Sequence, residues 1–148
     1  MAINSSTFIE NTVLFIRDLL RDQLTDPLSR TNNLEFIMTA YPKRLVQYPI
    51  ITIKQINIIT RKLGMQSEVH DATISLEVRI WARNAKECDE LTSDVIDKLR
   101  DNQYSATGTD NEDIFGFNIS SANSIVEVEG DNSIHSKILG IEYRAILN

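Results

Sequence analysis

The longest patterned stretch of the chain runs from Pro49 to Arg83, PIITIKQINIITRKLGMQSEVHDATISLEVRIWAR. Its second half alternates: Ile74, Leu76, Val78 and Ile80 fall on one face, and Thr73, Ser75, Glu77, Arg79 and Trp81 on the other. A period of two marks a half-buried strand, whose successive side chains point to opposite sides of the pleat. The first half changes phase. Ile51 and Ile53 share one face while Ile56 and Ile58 fall on the other. One extra residue near Lys54-Gln55, a β-bulge or bend, would return both pairs to the same side. A polar segment around Gly64 joins the two runs into a hairpin longer than a small core needs, so part of it is expected to project and touch another molecule.

Before this hairpin, Ser6 to Leu24 reads as a helix. Thr7 and Glu10 have capping-box spacing, and Ile9, Val13, Ile16, Leu20 and Leu24 recur at intervals of three and four, with Phe8, Phe15 and Leu19 widening the stripe. So broad an apolar face needs a sheet beneath it. Asp26-Pro27 ends the helix, because proline cannot continue it and restricts the residue before it. Thr25–Asn33 then reads as a polar loop and Leu34–Tyr41 as a short strand. Two Tyr-Pro pairs hold Tyr41–Pro49 extended, and Tyr41 and Tyr48 are expected to pack at the rim of the core.

After the hairpin a second helix spans Asn84 to about Asn102, with Asn84 as N-cap and Glu87 in capping-box position. Its apolar stripe is Cys88, Leu91, Val95 and Leu99, with Ile96 beside it; Glu87, Glu90, Asp94, Asp97 and Asp101 occupy the outer face. Cys88 therefore reads as a buried structural thiol. Gln103–Asp113 is polar and acidic, a loop suited to a contact that orders on assembly. Phe115–Glu129 and Ser136–Leu147 read as closing strands around the turn Gly130–Ser133. The order helix, short strand, long hairpin, helix, hairpin predicts an α+β fold: two helices packed on a mostly antiparallel, mixed β-sheet with a long projecting hairpin. No repeat or linker divides the chain, which reads as one domain from 1 to 148.

Composition adds boundaries. With 42% apolar and 24% charged residues, the chain is globular rather than disordered. It has no apolar run near the roughly 20 residues of a membrane span. The N-terminus lacks the basic start of a signal peptide, and a single cysteine excludes an internal disulfide, so a cytosol-like compartment is expected. Charge is unevenly placed. Phe36–Ser67 carries Lys43, Arg44, Lys54, Arg61 and Lys62 and no acid, whereas Asn84–Asp131 carries three basic and twelve acidic residues, a net of −9. This split suits head-to-tail self-association, which closes into rings where the rotation permits. The net charge of −6 argues against strong nucleic-acid affinity.

Catalytic signatures are missing. His70 and His135 stand apart, with no cysteine or second histidine at metal-ligand spacing. No glycine-rich phosphate loop, nucleophile elbow or metal-binding helix motif occurs. Glu77 and Arg79 share a strand face and suit a structural cluster, while Asp110, Glu112 and Asp113 lie in a polar stretch without the enclosure that tunes a catalytic carboxylate. The expected product is a surface rather than a reaction: not an enzyme, and with no cofactor. The candidate assembly surface comprises Arg61, Lys62, Leu63, Gly64 and Met65 at the hairpin tip, together with Lys54, Lys43, Arg44, Asp110, Glu112 and Asp113.

The YPIITI run, a basic hairpin, and ATISLEVRIWARN leading directly into KECDELTSDVIDKL together resemble the tail terminator (tail-completion) proteins of tailed bacteriophages. The resemblance rests on Val78-Arg79-Ile80-Trp81-Ala82-Arg83 followed by Asn84-Ala85-Lys86-Glu87, and covers roughly residues 6 to 102. The acidic Gln103–Asp113 stretch and the bulged, basic first strand depart from it. It implies a virion protein at the head-proximal end of the tail, assembled in the host cytoplasm. There a ring, by resemblance a hexamer, would cap the tail tube and end its polymerisation. It would offer its other face to a neck or head-completion protein and, in a contractile tail, meet the sheath; DNA would pass through the lumen without specific binding. A different neck or head-completion connector, or a nucleic-acid-binding α+β domain using Trp81 with Arg79 and Arg83, are the alternatives.

Overall fold

The computed structural model describes residues 8–30, 34–43, 47–65, 69–104, 114–129 and 132–147. Two helices, α1 (Phe8–Gln23) and α2 (Ala85–Tyr104), pack on one face of a five-stranded mixed sheet. The strands are β1 (Ile37–Met38), β2 (Ile50–Lys62), β3 (His70–Ala82), β4 (Ile114–Glu129) and β5 (Asn132–Leu147), in the spatial order β1-β2-β3-β5-β4. Only β1·β2 is parallel. The architecture is the α+β class expected from the alternating and helical periodicities.

The apolar face of β3 organises the core. Ala72, Ile74, Leu76, Val78, Ile80 and Ala82 are buried, and the residues between them are half-buried on the opposite face. Ile16 and Leu20 of α1 and Leu91, Val95 and Leu99 of α2 join the same cluster, with Leu139, Ile141 and Tyr143 of β5. A fully buried Ile, Leu or Val contributes on the order of 1.5–3 kcal/mol over an exposed one, so this face outweighs any local propensity. Phe15 meets the buried Tyr143 ring at 6.4 Å between centroids, tying α1 to β5.

The phase change in β2 is a bulge. Gln55 pairs with Leu76 and Asn57 with Ser75, leaving Ile56 without an opposite residue. Skipping Ile56 puts Ile58, paired with Ile74, against the core beyond Ile51 and Ile53. Ile56 itself stays 54% exposed, so the extra residue returns one of the two isoleucines to the core face rather than both.

The element bounds differ by more than one residue from expectation in β1, α2 and β5. β1 is two residues long rather than spanning Leu34–Tyr41, because only Ile37 and Met38 find partners, Ile51 and Thr52, along β2. α2 runs on to Tyr104. β5 begins at Asn132, since Asn132–His135 already pair with Glu129–Val126. The expected caps and loops at Thr7, residues 105–113 and Gly130-Asp131 lie outside the described residues. The second helix is capped from the side chain of Asn84, whose Oδ1 accepts the Glu87 amide at 2.9 Å. Glu87 reaches back one residue further than a capping box requires, to the Arg83 amide and guanidinium.

Candidate assembly surface

β2 and β3 form a hairpin of thirteen residues per strand, roughly 40 Å at about 3.3 Å per residue. β5 flanks β3 over its whole length, from Ala82↔His135 to His70↔Leu147, so the hairpin belongs to the sheet up to its last rung. Beyond that rung the Leu63 amide donates to the Val69 carbonyl at 3.1 Å, and the tip begins. Leu63 and Met65 are 53% and 97% exposed there, beside exposed Arg61, Lys62 and Gly64. On the adjoining part of β2, Ile59 is 60% exposed. Two cations therefore share one end of the molecule with Leu63, Met65 and Ile59, and the bulged Ile56 lies midway along the same edge.

The remaining expected residues are dispersed. Lys54 is exposed midway along β2, paired with Glu77. Lys43 is exposed at the opposite end, two residues after Tyr41, whose ring packs edge-on against Trp81 with centroids 5.0 Å apart. Arg44, Asp110, Glu112 and Asp113 lie outside the described residues. The basic block of the sequence is thus strung along a strand and its approach rather than gathered into one patch. The physical reason is that an extended strand separates residues in space in proportion to their sequence distance.

The sheet face away from the helices has its own small cluster. Arg79 stacks over the Trp81 ring at 3.9 Å, its Nη2 lies 3.3 Å from Ser136 Oγ, and Trp81 Nε1 donates to Thr52 Oγ1 at 3.3 Å. Tyr41 and Tyr48 share a hydroxyl–hydroxyl bond of 2.5 Å, and Ile50, Ile134 and Ser136 are buried. The tyrosines therefore line the rim of this open face beside Trp81, not the rim of the helix-covered core. Both partners of Trp81 leave its ring little free surface for stacking a base.

The outer face of α2 is solvated. Glu90, Asp94, Asp97 and Asp101 are exposed, and Asp89 meets Lys137 of β5 at 2.6 Å. A cleft of about 320 Å³ lies beside it, walled by Lys86, Glu87, Glu90 and Asp94 with Pro27 and Leu91 as its apolar side. Cys88 is buried, and burial pushes its thiol pKa up, which keeps it protonated and unreactive. Among the described residues no group of three His, Cys, Asp or Glu side chains is placed to hold a metal ion.

Sequence reasoning missed the exposed Ile59 of β2 and the exposed Ile125 and Val126 of β4. Strand periodicity assigns faces, but whether a strand has a neighbour on each side is a property of topology. Two adjacent apolar residues such as Ile125-Val126 necessarily point to opposite faces, and that was the available signal. No protein-family model matches the chain, and no curated protein matches it.

Proposed function

We propose that this chain is a structural subunit of a bacteriophage tail, a terminator that assembles into a ring on the end of the tail tube. The carrying observation is the hairpin tip, where Leu63 and Met65 are exposed beside the exposed Arg61 and Lys62. Among the described residues these side chains are left largely uncovered, and an apolar pair beside charged groups is the composition of a protein–protein contact. The resemblance of the Val78–Glu87 segment to tail terminators adds to it, since that segment forms the junction of β3 with α2. In this reading the partners are further copies of the chain, the tube protein, a neck protein and, in a contractile tail, the sheath. The Arg79 and Tyr41 contacts of Trp81 make a nucleic-acid platform the weaker reading.

Replacing Leu63-Gly64-Met65 by a short polar turn tests the proposal. The chain should stay folded, because these residues lie beyond the last rung of the sheet, while assembly yields tails of uncontrolled length or tails unable to join heads. Electron micrographs showing normal-length tails on filled heads would refute it. Complete absence of tubes would point to an initiator or a tube component instead.

A further inference from the structure

Among the described residues the sheet has two open edges. β1 covers only Ile51 and Thr52 of β2, so from Ile53 to Lys62 that strand has no described neighbour on its outer side. At the other end of the sheet β4 is the terminal strand, and the described side chains Asn118 and Ser120–Val126 are exposed. Each edge presents backbone donors and acceptors, and each exposes two large β-branched residues: Ile56 and Ile59 on β2, Ile125 and Val126 on β4. These make up half of the exposed large apolar side chains described.

Natural edges are usually shielded by lysine, proline or a bulge. β2 has such protection in Lys54, Lys62 and the bulge at Ile56. β4 does not over its last regular stretch: from Ser121 to Val126 it carries no charge and no proline, and its register with β5 is unbroken there. The edges are also opposite in sign. Ile53–Lys62 contains Lys54, Arg61 and Lys62 without an acid, and β4 contains Glu127 and Glu129 without a base. A β2·β2 contact would set cations against cations, whereas β2 against β4 does not.

We propose that the outer edge of β2 in one copy pairs with the edge of β4 in the next, so that the sheets continue from subunit to subunit. This deepens the ring reading and rests on it. The direction is suitable: the antiparallel steps β2·β3, β3·β5 and β5·β4 leave β2 and β4 running opposite ways in each copy. Rotation about a ring axis preserves the sense in which a strand climbs that axis. Neighbouring copies therefore meet in antiparallel pairing, the better hydrogen-bonded arrangement. The stretch of β2 between its bulge and Arg61 and the unprotected stretch of β4 lie at different heights along the sheet, so the contact is staggered, as closure of a sheet into a barrel also requires. Ile59 and Ile125 then come together as a cross-strand apolar contact on the face away from the helices.

Backbone hydrogen exchange of the full-length chain, dilute and assembled, tests this. Amides in 53–62 and in 121–126 should both slow at least tenfold on assembly, while those of α1 keep their monomer rates. Rings in which either edge exchanges as in the monomer overturn the edge pairing and leave the ring reading standing. Dimers protected at 121–126 alone overturn it in favour of β4 pairing with itself. A chain that stays monomeric under all conditions, including with tube ends, sinks both. Should assembly persist at every dilution, the pair Asn123→Lys and Val126→Lys supplies the open state, since both side chains are exposed and neither lies opposite a lysine or arginine of β5. Assembly unmoved by that pair also overturns the proposal.

Discussion

Arg30 closes on Asp26 across one turn of chain, its Nε 2.7 Å from a carboxylate oxygen that is almost fully buried. The same guanidinium donates to the Gln47 and Pro49 carbonyls at 2.8 and 2.5 Å and lies over the Phe36 ring. Asp26 in turn accepts the amides of Leu28 and Arg30 at 2.9 and 3.0 Å. One ion pair thus locks the exit of α1 to the segment that launches β2.

Breaking that lock should be among the most damaging single changes. Asp26→Ala leaves a mostly buried guanidinium unpaired, and losses of about 3–5 kcal/mol are usual for such a pair. Burial, the largest single influence on the Asp26 carboxyl, raises its pKa. The Arg30 side chain and the two amides together outweigh it and hold the group below the ordinary carboxylate range. A carboxyl whose pKa is lower folded than unfolded stabilises the fold above its unfolded value and loses that contribution as pH falls through its folded value. Urea unfolding at neutral pH and again below about pH 4 should show the gap between wild type and Asp26→Asn shrinking in acid. A gap unchanged by pH would show that the carboxylate charge is not what Arg30 holds.

This lock was invisible in the sequence, where Thr25–Asn33 has only the look of a polar turn. An Asp and an Arg four apart outside a helix carry no periodic signal, and their burial depends on what the 47–49 segment lays over them. The same limit explains the open edges: β3 was legible because both of its faces are set by alternation, whereas the free sides of β2 and β4 follow from strand order. The helix stripes, the bulge and the Asn84 cap were legible because each is a local consequence of residue type. For the assembly surface, sequence grouped Lys43 with Arg61 by charge, and the length of β2 separates them.

Leu76 sits at the centre of the sheet, 1% exposed, between Gln55 and Ile141 in the pairing. Helices cover its face, so the cavity left by Leu76→Ala cannot be filled without moving α1 or α2. A loss of about 2–5 kcal/mol is expected from transfer and cavity terms together. Thermal melting of the variant decides it, and an unchanged midpoint would mean that the helices do not cover this face in solution.

Gly140 faces Ser121 where β4 breaks register between Ile119 and Ser121. A Cβ at this position would lie 2.7 Å from the hydroxyl oxygens of both Ser120 and Ser121. Both oxygens end exposed side chains that can rotate, and the next atom, the Ser121 amide nitrogen, is at 3.7 Å, so Gly140→Ala should lower stability only by about 0.5–1.5 kcal/mol, the cost of forcing a side chain off its rotamer. Adding Ser120→Ala and Ser121→Ala removes both hydroxyls and should restore most of the loss. Additive effects in that cycle would show that the strain lies in the backbone instead.

Charge at the hairpin tip should govern assembly more than charge at the far end of β2. Arg61 and Lys62 stand beside the exposed Leu63 and Met65, whereas Lys43 lies near Tyr41 and Trp81 at the other end of the sheet. If the acidic flank of the next copy meets the tip, reversing Arg61 and Lys62 to Glu replaces attraction by repulsion at contact range. Lys43→Glu changes net charge by a comparable sign but acts from well beyond a Debye length of about 8 Å at physiological salt. Sedimentation should show ring formation weakened severalfold in the tip variant, barely altered in Lys43→Glu, and weakened by raised salt in the wild type. Effects in proportion to the charge changed, about two to one for the tip pair over Lys43→Glu, would mean that only overall charge matters. Rings indifferent to salt and to both reversals would make the contact apolar, carried by Leu63, Met65 and the isoleucines of β2.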